Sequence, residues 1–165
     1  MAVESMILVR PEHLNHHGFL YGGKLLEWLD EHSYIGAMAH LKPEASLVTK
    51  GIDRVEFRHQ VRDGSLLKVR AQLVHVGHTS LTTYTSFERT RDPVKIFRAL
   101  VTFVSLDKQG QPTPIAPFLL RPFRPQSAEE RRYWAEVEAA RSRRSAAGKP
   151  EVKKKKKTTM KKDTP

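Results

Sequence analysis

Asn15-His16-His17-Gly18-Phe19-Leu20-Tyr21-Gly22-Gly23-Lys24-Leu25-Leu26-Glu27-Trp28-Leu29-Asp30-Glu31 is a glycine-punctuated loop that runs directly into an amphipathic helix. The Gly22-Gly23 pair lets the backbone approach a bound group closely, and the first turn of the following helix has N–H groups without intrahelical acceptors. At about 100° per residue, Leu25, Leu29, His32, Gly36 and Ala39 form one stripe, flanked by Trp28 and Ile35 on one side and Leu26, Ser33 and Ala37 on the other. Asp30 falls just beyond Leu26 and Ala37, at the margin of this apolar face. Lys24, Glu27, Glu31 and Tyr34 occupy the opposite arc. The two neighbouring acids therefore differ in kind: Glu31 belongs to solvent and Asp30 to the edge of the core. On pattern alone, a rim carboxylate is most often half of a salt bridge.

Outward from this stretch, a first strand is expected over 5–10, and the helix over 23–41, stopped by Pro43. Residues 46–60, 66–76, 79–91 and 94–106 are rich in Val, Leu, Thr, Phe and Tyr and predict four more strands. Arg62-Asp63-Gly64, Gly77-His78 and Arg91-Asp92-Pro93 supply the turns. Leu67, Val69, Ala71 and Leu73 share one strand face against Lys68, Arg70 and Gln72 on the other. One helix followed by successive strands predicts an α+β domain, an antiparallel sheet curved around that helix.

The 165 residues, 39% hydrophobic, suit a single core. No apolar run is long enough to span a bilayer, and Arg10-Pro11 break the short Met6-Ile7-Leu8-Val9 run, so no secretory start is expected. Cysteine is absent, which excludes disulfides and thiol catalysis; a cytoplasmic protein is the simplest reading.

Asn15-His16-His17-Gly18, Gly22-Gly23, Leu25-Leu26 and Trp28-Leu29-Asp30-Glu31 together resemble the signature of the hotdog-fold acyl-CoA thioesterases. Later segments agree in order: Ile52-Asp53-Arg54-Val55-Glu56-Phe57 is similar to that family's second strand. Val76-Gly77-His78-Thr79-Ser80-Leu81 resembles its Gly-x-Thr-Ser turn, and Val101-Thr102-Phe103-Val104-Ser105-Leu106-Asp107 its last strand. The likeness covers roughly residues 5–122 and departs at Tyr21, where several relatives have His. It implies a hotdog thioesterase domain over 1–124; composition and charge then predict a charged helix over 125–148 and a disordered Lys-rich tail over 149–165. The resemblance further implies hydrolysis of acyl-CoA to a fatty acid and coenzyme A, with no metal and no cofactor beyond the coenzyme A of the substrate.

The chemistry follows from the residues. Thioester hydrolysis builds negative charge on the carbonyl oxygen, and the Gly22 and Gly23 amides at the helix start suit an oxyanion hole. A carboxylate must then attack the carbonyl or draw a proton from water, and an Asp pressed against Leu26, Trp28 and Ala37 is placed for either role. With the resemblance added, Asp30 is the expected catalytic carboxylate, as base or nucleophile. Asn15 is a second catalytic candidate, because an amide both donates and accepts; its competing role is that of a turn residue. His17 is expected to line the acyl channel and His16 to be exposed. Adjacent histidines diverge on an extended segment, and no second His or Cys cluster supports a metal. Thr79 and Ser80 are candidates for binding the pantetheine amides, or simply for finishing a turn. Glu56, within alternating polarity, suits an outward strand position.

The resemblance also implies partners. Hotdog relatives pair protomers edge to edge, so a homodimer is expected, with tetramers or hexamers built from it, and with Asp30 of one chain facing the Asn15-to-Gly23 loop of the other. After Pro125, Gln126-Ser127-Ala128-Glu129 starts a charged helix with Trp134 and Val137 as modest apolar contacts. From Arg141 onward there are 11 Lys or Arg against two acids, an excess of nine out of the whole-chain +11. Such a tail attracts polyanions, but it lacks interleaved aromatics for base stacking, so no specific nucleic acid is expected. Two alternatives stand beside hydrolysis: a non-catalytic hotdog protein binding acyl-CoA or polyanions, and a hotdog enoyl-thioester hydratase. The hydratase branch uses a His with a carboxylate from the partner, and its motif differs from this glycine loop.

Overall fold

Alternation and glycine punctuation produce five strands and a central helix in the computed structural model of the chain, which describes residues 2–147. β1 (Ala2–Leu8) leads through a single 3-10 turn, Pro11–His13, and the glycine loop to α1 (Gly22–Met38). β2 (Leu47–Phe57), β3 (Leu66–Val76), β4 (Ser80–Arg89) and β5 (Lys95–Ser105) follow, and α2 (Ala128–Ala147) comes after a second 3-10 turn, Ala116–Phe118. Every strand pairing is antiparallel in the order β1-β3-β4-β5-β2, so β1 and β2 are the edges.

The inner face of the sheet closes on α1. Leu67, Val69, Ala71 and Leu73 are buried, as the alternation requires, with Leu81, Phe87, Phe97 and Phe103 from the neighbouring strands. The helix sits close: a Cβ placed on Gly36 would lie 2.6 Å from the Ala71 Cβ, so only glycine fits there. Buried Ser33 is satisfied by Thr85, Oγ to Oγ1 at 2.7 Å.

Three features differ from the sequence reading. The helix proper ends at Met38 instead of 41: His40 and Leu41 N–H turn to the carbonyls three residues back, and Leu41 then bridges Leu119. The expected buried flank at Ile35 is open, with 45% of the residue exposed, because the buried arc runs from Trp28 through Leu29 and Gly36 to Ser33 and Ala37. The sheet is also covered on its outer face, which one helix alone would have left bare. There Tyr133 of α2 stacks on Tyr84 with ring centres 4.2 Å apart, in a small cluster with Val74, Leu100 and Val137. Burying a side chain such as Val137 contributes on the order of 2 kcal/mol.

Polar contacts fix where α2 lies. Gln72 Nε2 donates to Glu130 Oε1 at 2.7 Å, His75 Nε2 pairs with Glu138, and Arg54 reaches Glu136 at 3.3 Å. This second layer explains why Gln72, Val74 and His75 are buried although alternation alone would leave one face of β3 in water. The Lys-rich segment expected over 149–165 lies outside the described residues.

Candidate active site

The loop before α1 is built around Asn15. Its Oδ1 accepts the backbone N–H groups of His17 at 2.9 Å and Phe19 at 3.2 Å, and its carbonyl accepts Gly18 N–H at 2.9 Å. Gly18 adopts φ 73°, which favours glycine. Because two N–H donors need an acceptor, the oxygen of the Asn15 amide is identified, and its NH₂ has no hydrogen-bond acceptor among the described residues. The turn-forming role thus falls to the oxygen of this side chain.

Tyr21 caps α1 with its backbone only. Its carbonyl accepts Lys24 N–H at 3.0 Å and Leu25 N–H at 3.2 Å, which leaves the Gly22 and Gly23 N–H groups without acceptors among the described residues. The Tyr21 ring lies over Gly23, where an added Cβ would meet its Cε1 at 2.3 Å. A cleft of about 670 Å³ opens in front of this first turn; Asn15, His17 and Gly22 line one wall, and Phe57, Arg58 and His59 from the end of β2 the other. His16 is exposed, with its ring centre 3.9 Å from that of His17.

Asp30 stands apart from this cleft. It is half-buried, and Thr49 Oγ1 of β2 donates to its Oδ1 at 2.6 Å. Eight residues of helix separate it from Gly22, about 12 Å of rise. The expected packing against Trp28 does not occur: that ring lies on the other flank of the helix, edge-on to His13 at 4.9 Å. Thr49 is the residue that sequence reasoning missed. It comes 19 positions after Asp30 in an edge strand, and only the folded pairing reveals their contact.

Thr79 and Ser80 are not brought to the cleft within one protomer. Ser80 is in register with Val104 and through it with Val48, whereas Phe57 at the cleft pairs with Phe97. Seven positions along β5, from Val104 to Phe97, make this separation about 23 Å. Ser80 also alternates with the residues that face α1, so its side chain is on the outer face. Glu56 is outward, as its alternation indicates, but paired: Arg98 Nη2 at 2.6 Å and Arg58 Nη2 at 2.6 Å hold its carboxyl down at about 2. Among the described residues, no group of three or more His, Cys, Asp or Glu side chains is placed to hold a metal ion.

Comparison with known proteins gives the family. Residues 17–94 match the thioesterase superfamily. An acyl-CoA thioester hydrolase of Zymomonas mobilis, itself described as uncharacterized, is 30% identical over 115 residues, which are 67% of this chain and 76% of that protein. The chain belongs to the thioesterase superfamily.

Two solved structures in this superfamily share the fold described above. An apo-hexameric acyl-CoA thioesterase superposes with a TM-score of 0.75 at 28% identity, covering 88% of this chain and 92% of that one. The acyl-CoA hydrolase of Staphylococcus aureus, solved with butyryl coenzyme A, coenzyme A and coenzyme A disulfide, gives 0.73 at 26% identity, covering 88% and 85%. The cytosolic acyl coenzyme A thioester hydrolase of Rattus norvegicus is 29% identical over 116 residues, 66% of this chain. The chain spans 29% of the length of that rat protein and of its Mus musculus counterpart.

Proposed function

We propose that the protein hydrolyses acyl-CoA thioesters to a free carboxylic acid and coenzyme A, at a site assembled from two copies of the chain. The observation that carries this reading is the Asp30 carboxylate, held by Thr49 against the open edge strand β2. Support also comes from the Staphylococcus aureus hydrolase, for which separate structures carry alanine in place of an aspartate and of a threonine. Those are the residue types that meet here as Asp30 and Thr49.

Completion by a second copy follows from the topology. β2 presents unpaired backbone groups along its outer edge, with Val48, Val55 and Phe57 exposed. Two such edges pairing antiparallel about mid-strand set Thr49 of one copy opposite Val55 of the other, near that copy's Phe57. Phe57 lies against Gly22, where an added Cβ would be 3.6 Å from its ring. Asp30 of one copy and the Asn15-Gly22-Gly23 donors of the other then face a single thioester. The hexameric neighbour supports homo-oligomeric assembly.

In the reaction, Asp30 Oδ2 takes a proton from water while Thr49 holds Oδ1, and the resulting hydroxide adds to the thioester carbon. The oxyanion that forms is stabilised by the Gly22 and Gly23 N–H groups and by the Asn15 NH₂. Collapse breaks the C–S bond, and the proton on Asp30 passes to the departing thiolate. No metal or bound cofactor takes part in this scheme. His17, on the cleft wall, lines the acyl side, and Thr79, in the turn before β4, serves the pantetheine arm at the far end of the sheet. A cytosolic location belongs to the same proposal, supported by the naming of the rodent relatives.

The test is coenzyme A release from short, medium and long saturated acyl-CoAs by the full chain and by Asp30→Asn. The expected loss is at least about 100-fold in kcat. Hydrolysis by Asp30→Asn within a few-fold of the original chain would overturn the assignment. Loss of an enoyl chromophore with the thioester retained would identify a hydratase instead.

A further inference from the structure

The C-terminal end of α1 carries an arginine-lined cleft for which the hydrolytic step has no use. It encloses about 170 Å³ between Ala39-His40 and the segment from Leu120 to Gln126. Leu120 N–H bonds the His40 carbonyl at 3.0 Å, and Leu41 bridges Leu119, so this segment is strapped across the helix end. Arg121 and Arg124 both line the cleft and are exposed. Among the described residues, neither guanidinium has an acid or other hydrogen-bond acceptor.

Their charge is not spent on the helix terminus. The Ile35, Ala37 and Met38 carbonyls already accept the N–H groups of Ala39, His40 and Leu41. It is not spent on Glu130 either, the one acid in the lining. Glu130 Oε1 accepts Gln72 Nε2 at 2.7 Å, and Oε2 accepts the backbone N–H groups of Gln126 at 2.6 Å and Ser127 at 3.2 Å. In the cleft lined by Arg62, Arg89 and Arg91, by contrast, Arg89 is paired with Asp92 at 2.8 Å, and Asp63 stands in the same lining. Two uncommitted guanidiniums facing one concavity suit the tetrahedral oxygens of a phosphate. Phe123, stacked on Trp134 at 5.9 Å, lines the same cleft and offers an aromatic surface to a base.

Position connects the cleft to the reaction. Ala39 is nine residues beyond Asp30, about 13 Å of helix rise, a gap that an extended pantetheine arm spans. Ile115 N–H bonds the His78 carbonyl at 2.9 Å, which ties the turn carrying Thr79 to the base of the same segment. We infer that this cleft holds the nucleotide phosphates of the acyl-CoA substrate, with Arg121 and Arg124 as their ligands; the assignment rests on the hydrolase reading above.

The test uses the full chain and the double variant R121E/R124E, with an acyl-CoA and the matching acyl-pantetheine, which lacks the nucleotide. For acyl-CoA, KM is expected to rise at least about 10-fold, with kcat at saturation changed by less than about two-fold. For acyl-pantetheine neither constant should move, and R121K/R124K should recover most of the acyl-CoA affinity. An equal rise for both thioesters, or no rise for either, would overturn the inference. Calorimetric titration with adenosine 3′,5′-bisphosphate separates this result from failure of the hydrolase reading. If the chain releases no coenzyme A yet loses bisphosphate binding in R121E/R124E, the phosphate cleft stands without the enzyme. Bisphosphate binding lost while the acyl-CoA KM is unchanged would assign the cleft to a free nucleotide and overturn its assignment to the substrate.

Discussion

Thr49 Oγ1 donates a 2.6 Å hydrogen bond to Asp30 Oδ1, so the edge strand β2 orients the acid on the middle of α1. Thr49→Val keeps the shape and removes the donor. We expect kcat for acyl-CoA to fall about 10-fold with KM little changed, and Thr49→Ser to restore it. A fall in KM and kcat alike in both variants would show that Thr49 shapes the strand and does not orient the acid.

Edge pairing of β2 makes activity depend on assembly. Val55 is 38% exposed on that edge, and Val55→Lys places a charge where a second strand would lie. Sedimentation should show the variant dissociating at concentrations where the original chain is associated, with activity lost in parallel. A fully active monomer would refute the two-copy site.

Gly36 lies where the helix approaches β3 most closely. Gly36→Ala forces a contact of 2.6 Å with the Ala71 Cβ, and should lower stability by about 1–3 kcal/mol, read as a drop in Tm. Ala71→Gly in the same chain should recover part of that loss. Additive losses in the double variant would place the strain elsewhere.

Glu56 gives the fold a pH dependence of definite sign. Hydrogen bonds from Arg98 and Arg58 lower its carboxyl from 4.5 to about 2. The folded state therefore gains stability from the ionised form above about 4.5, and that gain is lost as pH falls through about 2. Urea midpoints of the original chain and of Glu56→Gln should differ at neutral pH and converge towards pH 2. Added salt should narrow the difference, because Glu56 is near the surface. Midpoints that run parallel down to pH 2 would refute the coupling.

Much of the fold was legible in the chain because its signals are local. The alternation of Leu67, Val69, Ala71 and Leu73 fixes the inner face, and the Gly22-Gly23 pair fixes the helix start within one residue. What stayed hidden depends on distant partners. Thr49 reads as an ordinary strand residue until β2 is folded beside α1. The burial of Gln72 and His75 needs α2, more than 50 positions later in the chain, to cover the outer face. Asp30 was marked by its position on the helical wheel, which also sets Trp28 on the opposite flank, but its hydrogen-bond partner was not. Arg121 and Arg124 lack any periodic signal, since their placement depends on a loop strapped across a helix end.

Asn15 divides two duties between two atoms. The oxygen shapes the loop, and in the proposed reaction the nitrogen hydrogens face the thioester. Exchanging that nitrogen for an oxygen, as Asn15→Asp does, preserves the scaffold while turning an attractive wall into a repellent one. Under the proposed reaction, folding and turnover at this position are therefore separable by the identity of a single heavy atom.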